Sequence, residues 1–274
     1  VNRDSWPPWW CVIAPFATFA LAGAGGAIVV VATGAGEPGR ELSANGALLA
    51  TLWQDVLLIV VPLALAVSLR HPAPRPADFG LVRITRGRLV GAVVIAAMMF
   101  YGVSWLYSLV VSDGGSQDTL ERLGADRGGA GLIAAAVMVV VIAPVVEEFF
   151  FRGFVYRAAR NGLGPAGAAL FVGVLFGAVH LGDPDVLPLI PLLAFLGALM
   201  CVLYERTGSL AAPIALHVLN NALAFSSATD LDNPGAVGLP LGAAMLLAVY
   251  LLTTRGARAP GRDEERPLLT GAQG

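Results

Sequence analysis

The sequence predicts an all-α, polytopic membrane protein of about eight transmembrane helices with both termini cytoplasmic, and three observations carry that prediction. Hydrophobic residues make up 57% of the 274 positions and charged ones only 13%, against roughly 25% charged in an average soluble domain. The 17 basic and 19 acidic side chains are too few to clothe a water-soluble fold of this length, so the lipid bilayer has to solvate much of the chain. The mean hydropathy of +0.74 is gathered into runs near the length that crosses a hydrocarbon core of about 30 Å. Finally, all seventeen basic residues are arginine, and they divide 14 to 3 between alternate connectors, the bias expected when the arginine-rich side is cytoplasmic.

The runs, in order, are Trp10 to Thr33, Ala47 to Leu69, Leu89 to Val111, Gly131 to Phe151, Ala166 to Leu181, Val186 to Tyr204, Leu210 to Ala224 and Val237 to Thr253. Each must be helical, because hydrocarbon offers backbone N–H and C=O groups no partner and the runs lack the alternation of a barrel strand. The first is too long for the apolar stretch of a secretory signal and begins with bulky Trp9 and Trp10, so it reads as a membrane anchor. The inner set of arginines is Arg3, Arg70, Arg75, Arg83, Arg86, Arg88, Arg152, Arg157, Arg160, Arg206, Arg255, Arg258, Arg262 and Arg266; Arg40, Arg122 and Arg127 fall outside. The stretch from His71 to Pro76 is a proline-rich connector, and the chain beyond Arg255 is a polar tail. The expected organisation is residues 1–128 as helices one to three with their connector, 129–228 as a helical catalytic core, 229–254 as the last transmembrane helix, and 255–274 as a cytoplasmic tail. A net charge of −2 without a basic tract excludes nucleic acid as a partner. Cys11 and Cys201 both lie in apolar runs and read as small core residues, not as a disulfide framework.

An ionisable side chain at membrane depth costs about 2.5 to 3.5 kcal/mol on insertion scales, so each such residue calls for a partner or a task. Here they are Asp55, Glu147, Glu148, Arg152, His180 and His217, with the amides Asn220 and Asn221 beside the last. In Pro144-Val145-Val146-Glu147-Glu148-Phe149-Phe150-Phe151-Arg152, helical spacing pairs Glu148 with Arg152 and turns Glu147 about 100° away. Arg152 then neutralises Glu148, while Glu147 faces a cavity without that partner and is free to act as a general base toward water. The same ion pair also serves as a snorkelling salt bridge at the membrane edge. Phe176 and His180 share a face, and Gly173 and Gly177 form a strip that permits close helix contact. His217 and Asn221 again stand four apart, suited either to hydrogen-bonding a developing oxyanion or to binding a neighbouring helix.

The segments EEFFFR, FGAVH and HVLNN resemble the EExxxR, FxxxH and HxxxN motifs of the CPBP family, the intramembrane proteases that include type II CAAX prenyl proteases and bacterial bacteriocin-processing or immunity proteins. The resemblance runs from about Gly131 to Phe225 and leaves the first three runs outside it. It implies that Glu147 with His180 activates the attacking water, that His217 with Asn221 stabilises the tetrahedral oxyanion, and that Glu148 and Arg152 support the site. The implied activity is hydrolysis of a peptide bond in a peptide or protein that enters from the membrane or the cytoplasm, with no cofactor. An arginine-only, alanine-, glycine- and valine-rich composition points to a multi-pass protein of a bacterial plasma membrane, and so to peptide or membrane-protein processing, since bacteria generally lack prenylated tails.

Three alternatives stay open at this level. Glu147, His180 and His217 are metal-ligand types that can hold zinc across three helices, although HExxH is absent. The intramembrane acids and histidines suit a proton- or ion-coupled transporter, in which Asp55 has a role that the protease leaves it without. A non-catalytic immunity or scaffold protein retains the same residues. A covalent nucleophile is less attractive, because Cys201 has no histidine at close spacing. The geometry also poses a problem: Glu147 lies roughly 24 Å inward from Gly131 at 1.5 Å per residue, while His180 ends an inside-to-outside run. Straight upright helices keep the two apart, so the fourth helix has to continue past Arg152 toward Arg160, the fifth has to tilt or start deep, or the cavity has to admit water. Pro144, one turn before the glutamates, is placed to kink the fourth helix.

Overall fold

The computed structural model describes residues 6–33, 43–69, 73–111, 119–126, 128–181, 184–228 and 233–255. Arg3, Arg40, Arg70, His71, Arg127 and residues 256–274 of the expected tail 255–274 lie outside these residues, so the expectations placed on them are not addressed. The chain is an all-α membrane protein. Six helices are long and apolar enough to cross a bilayer: α1 (Trp10–Thr33), α2 (Ala44–Ser68), α3 (Arg86–Ser108), α4 (Gly129–Ala178), α5 (Val186–Thr207, its first turn 3-10) and the last helix, Gly235–Thr253. A shorter apolar helix, α6 (Ala211–Ser226), precedes that last one, α7. Large side chains such as Phe16, Val31, Leu170 and Leu252 are exposed at 76%, 80%, 68% and 72%, which water disfavours and acyl chains accept.

The fourth and fifth predicted runs are two helical arms, as expected, joined by a tight corner instead of a loop. Helix α4 runs unbroken past Arg160 and turns only at Gly164, whose φ of 70° and ψ of 172° belong to a region that is essentially glycine-only; Pro165 follows and cannot continue the first arm's hydrogen bonds. The second arm, 165–178, doubles back on the first: the Phe151 and Phe176 rings meet at 5.2 Å. Glu147 stands 17 residues before the corner and Phe176 12 after it, with His180 16 after it. The two site residues therefore sit at matching distances, about 25 Å, from the turn. This corner answers the depth problem posed by the sequence.

The first arm is not uniformly α-helical. Two π-helical stretches, Val137–Ile142 and Phe149–Tyr156, flank the α-turn Ala143–Glu148 that carries the glutamates. Pro144 explains the first. It lacks an N–H and its ring crowds the preceding turn, and the chain widens just before it, with the Ala143 N–H reaching back five residues to Met138. Around the second stretch every residue from Phe150 to Tyr156 is buried, which places it at the centre of the bundle.

The small-residue strip works as expected. A methyl added at Gly173 would stand 2.6 Å from the Ala194 carbonyl, and one at Gly197 would stand 2.8 Å from Phe176 Cβ, so α5 lies directly on the second arm. One end of the bundle gathers much of the arginine-rich set. Arg160 pairs with Glu205 at 2.8 Å, Arg157 donates to the Tyr204 hydroxyl at 2.7 Å, and Arg88 donates to the Arg206 carbonyl. Leu210 N–H and the Ser209 hydroxyl bind the connector at Gly80 and Val82, and Ile84–Thr85 pairs in parallel with Thr254–Arg255. Trp6, Trp10, Phe79 and Phe154 stack together there, tying the start of the chain to the centre of α4. At the opposite end, the Tyr107 hydroxyl donates to the Pro188 carbonyl at 2.7 Å.

Candidate active site

The ion pair predicted from i,i+4 spacing forms at 2.8 Å between fully buried Arg152 and Glu148. Its surroundings come from elsewhere in the chain. The second guanidinium nitrogen donates to the Gly197 carbonyl at 2.8 Å, and the guanidinium carbon lies 4.9 Å from the centre of the Phe176 ring, a cation–π contact between fully buried side chains. His217 Nδ1 stands 2.9 Å from the same Glu148 oxygen that Arg152 binds. Glu148 is thus the anchor that joins the first arm of α4 to α6, a role beyond the support expected of it.

Glu147 is more open than Glu148. Its side chain keeps 20% exposure, against 0% for Glu148. Its nearest ionic neighbour is His217, with Nε2 3.9 Å from the Glu147 carboxylate, beyond hydrogen-bond reach and wide enough for their shared partner to be a third group. One imidazole therefore faces both glutamates, with its Nδ1 committed to Glu148.

His180 lies at the end of the second arm and is half-buried. Its Nδ1 is 2.7 Å from the Phe176 carbonyl. A carbonyl only accepts, so Nδ1 carries the proton and Nε2 of the neutral ring is a free acceptor. The Phe176 ring sits between the histidines, 5.2 Å from His180 and 5.7 Å from His217. His180 is brought to the glutamates through this ring, with no direct bond to them among the described residues.

Asn221 lies one turn beyond His217, as expected, but its amide is already engaged: it donates to the Val139 carbonyl at 2.9 Å and accepts from Asn220 at 3.3 Å. Val139 lies in the π stretch, and the residue five positions on, whose N–H would close its hydrogen bond, is Pro144. Asn221 supplies the donor that the proline lacks. One amide hydrogen remains for other work.

Two features escape the sequence. Asp55 on α2 is 5% exposed and lies within electrostatic reach of Glu147; a lone acid in an apolar run was the only signal, and it named no neighbour. The other is a cavity of about 370 Å³ beside the glutamates, lined by Ile59, Leu63, Val145, Val146, Phe149 and Ile214, with the connector 74–81 and Leu210 at its other end. Among the described residues, no group of three or more His, Cys, Asp or Glu side chains is placed to hold a metal ion.

The comparisons agree with the motifs. Residues 129–223 match the family Rce1-like, described as type II CAAX prenyl endopeptidase Rce1-like, so the resemblance carried by the three motifs holds over that stretch. The family supports a membrane-protease kind of function. The chain is also 36% identical over 96 residues to the uncharacterized protein YyaK of Bacillus subtilis (strain 168), a segment that is 33% of this chain and 32% of that protein. It thus aligns with about a third of that relative's length. No solved structure matches the chain.

Proposed function

We propose that the chain is an intramembrane endopeptidase that cleaves a peptide bond with a water activated by Glu147, and that it processes a peptide or membrane protein in a bacterial plasma membrane with both termini cytoplasmic. The observation that carries this reading is the contrast between the two glutamates: Glu148 is sealed and bound by Arg152 and His217, while Glu147 is left partly open and meets His217 Nε2 at 3.9 Å, outside hydrogen-bond reach. A general base needs that freedom, together with a fixed frame around it.

In this mechanism Glu147 takes a proton from water as the water oxygen attacks the scissile carbonyl carbon. His180 Nε2, an acceptor by its tautomer, orients the second water hydrogen. His217 in its imidazolium form presents Nε2–H to the developing oxyanion, and the remaining Asn221 amide hydrogen is available to the same oxygen. The tetrahedral intermediate collapses with cleavage of the C–N bond, and Glu147 returns its proton to the leaving amine. No acyl-enzyme is formed and no cofactor is used. The adjoining cavity admits the apolar part of a substrate from the membrane or the cytoplasmic side.

The test compares membrane proteomes of cells carrying the wild-type protein or Glu147→Gln. The expected result is a set of new protein termini present only with the wild type, with a loss of about 10²- to 10⁴-fold in rate on the purified variant and unchanged thermal unfolding in detergent. Termini that are the same in both strains would overturn the proposal, as would proton or ion flux in liposomes that survives Glu147→Gln where no cleavage is found. Cleavage that persists after exhaustive chelation is expected; its loss, restored by zinc, would replace the metal-free mechanism.

A further inference from the structure

Asp55 takes no part in the chemistry above, yet it occupies a place where a polar group has to do something. It is 5% exposed, and its Oδ2 has no hydrogen-bond partner among the described residues. Helix α2 packs against both Ala143–Glu148 and Phe149–Tyr156, and the Asp55 and Glu147 carboxyls interact electrostatically without sharing a hydrogen bond. Asp55, Ile59 and Leu63 lie four apart on one face of α2, and the last two line the cavity. The other walls are tied to the site in the same way: Val146 adjoins Glu147, and Ile214 lies one turn before His217.

A peptide segment that lies in this cavity and runs on past Val146 toward Glu147 lays its neighbouring N–H groups against an apolar wall. The lining side chains offer no acceptor, since Arg75 is the one polar member and it only donates. Helix carbonyls are spent within their own helices except one turn before a proline such as Pro62 of α2. A buried N–H without an acceptor is costly, and one turn of α2 before the lining residue Ile59 the buried, unpartnered Asp55 carboxyl is placed to receive one. We propose that Asp55 accepts a hydrogen bond from a backbone N–H of the peptide substrate and so holds the scissile carbonyl against Glu147. It is a substrate-positioning residue, and the proposal rests on the endopeptidase reading.

The experiment uses a synthetic peptide spanning the bond mapped in the proteome comparison, together with forms of it N-methylated at one amide at a time. It measures kcat and KM for the wild type, Glu147→Gln, Asp55→Asn and Asp55→Leu, with thermal unfolding of each protein in detergent. Asp55→Leu is expected to raise KM about tenfold, the scale of a lost hydrogen bond, while unfolding at the same or a higher temperature. Asp55→Asn keeps an acceptor oxygen and is expected to stay within about threefold of the wild type. One N-methyl position is expected to cost the wild type about tenfold and the leucine variant almost nothing. If Asp55→Leu does not fold, Asp55→Ala takes its place. A wild-type KM in the leucine variant, or an equal N-methyl penalty in both proteins, overturns the proposal and leaves the endopeptidase standing. A peptide that the wild type itself does not cut sinks both.

Discussion

Arg152 shows how much a single buried charge is asked to hold. Its guanidinium bridges Glu148, the Gly197 carbonyl and the Phe176 ring, and so connects both arms of α4 to α5. Removing one member of a buried pair leaves the other charge uncompensated, typically at about 3 to 5 kcal/mol, whereas removing both with apolar residues is far milder. Arg152→Leu is therefore expected to unfold at a much lower temperature in detergent than the wild type, and Arg152→Leu with Glu148→Leu to recover most of that loss. Arg152→Lys is expected to fall between, because a point charge cannot bind two acceptors in a fork or stack on the ring. A double variant no better than the single one would mean that the guanidinium's packing, not the charge, is what matters. The Glu148–Arg152 bond was legible because four residues on a helix is a local rule. The Gly197 carbonyl and His217 Nδ1 were not, because nothing in the spacing of EEFFFR states which helix faces it.

Within α4 the important device is the mismatch between Pro144 and the hydrogen-bond ladder. The proline removes a donor, the chain answers with a π stretch, and Asn221 fills the remaining deficit at Val139. A buried carbonyl stripped of its donor costs about 1 to 3 kcal/mol, so Asn221→Leu is expected to lower stability by that amount. In a Pro144→Ala background the alanine N–H is available to that same ladder, and the Asn221→Leu penalty is expected to shrink by at least half. A double-mutant cycle in thermal unfolding reads this coupling directly, and strictly additive losses would show that the two residues act separately. The sequence marked Pro144 as a kink and HVLNN as a polar face, but it had no way to show that one exists to satisfy the other. The two arms of α4 were legible as separate apolar runs, but the corner at Gly164 was not, because the polar stretch around Arg157 to Asn161 reads as a connector although helical backbone passes through it.

For the molecule as a whole, the corner at Gly164 sets the depths of Glu147 and His180 relative to each other, and the arginine bias is the argument for orientation. The turn between α5 and α6, the 76–88 connector and the final strand meet at one end, and the Tyr107–Pro188 contact lies at the other. These contacts group the connectors as the 14-to-3 arginine split does, yet neither they nor the fold distinguish cytoplasm from exterior; only the charge bias does so. Orientation is accessible to labelling, because native Cys11 and Cys201 are both buried and give little background. A single cysteine introduced at Ala77, exposed on the connector, or at Leu187, 55% exposed at the far end, tests it with a membrane-impermeant maleimide. The cysteine at Leu187 is expected to react in intact cells, and the one at Ala77 only after permeabilisation. Since the cavity beside Val145 and Val146 has the connector at its other end, this pattern also tells which side that cavity opens toward. The opposite pattern would invert the molecule, putting its arginines and the connector end of that cavity outside.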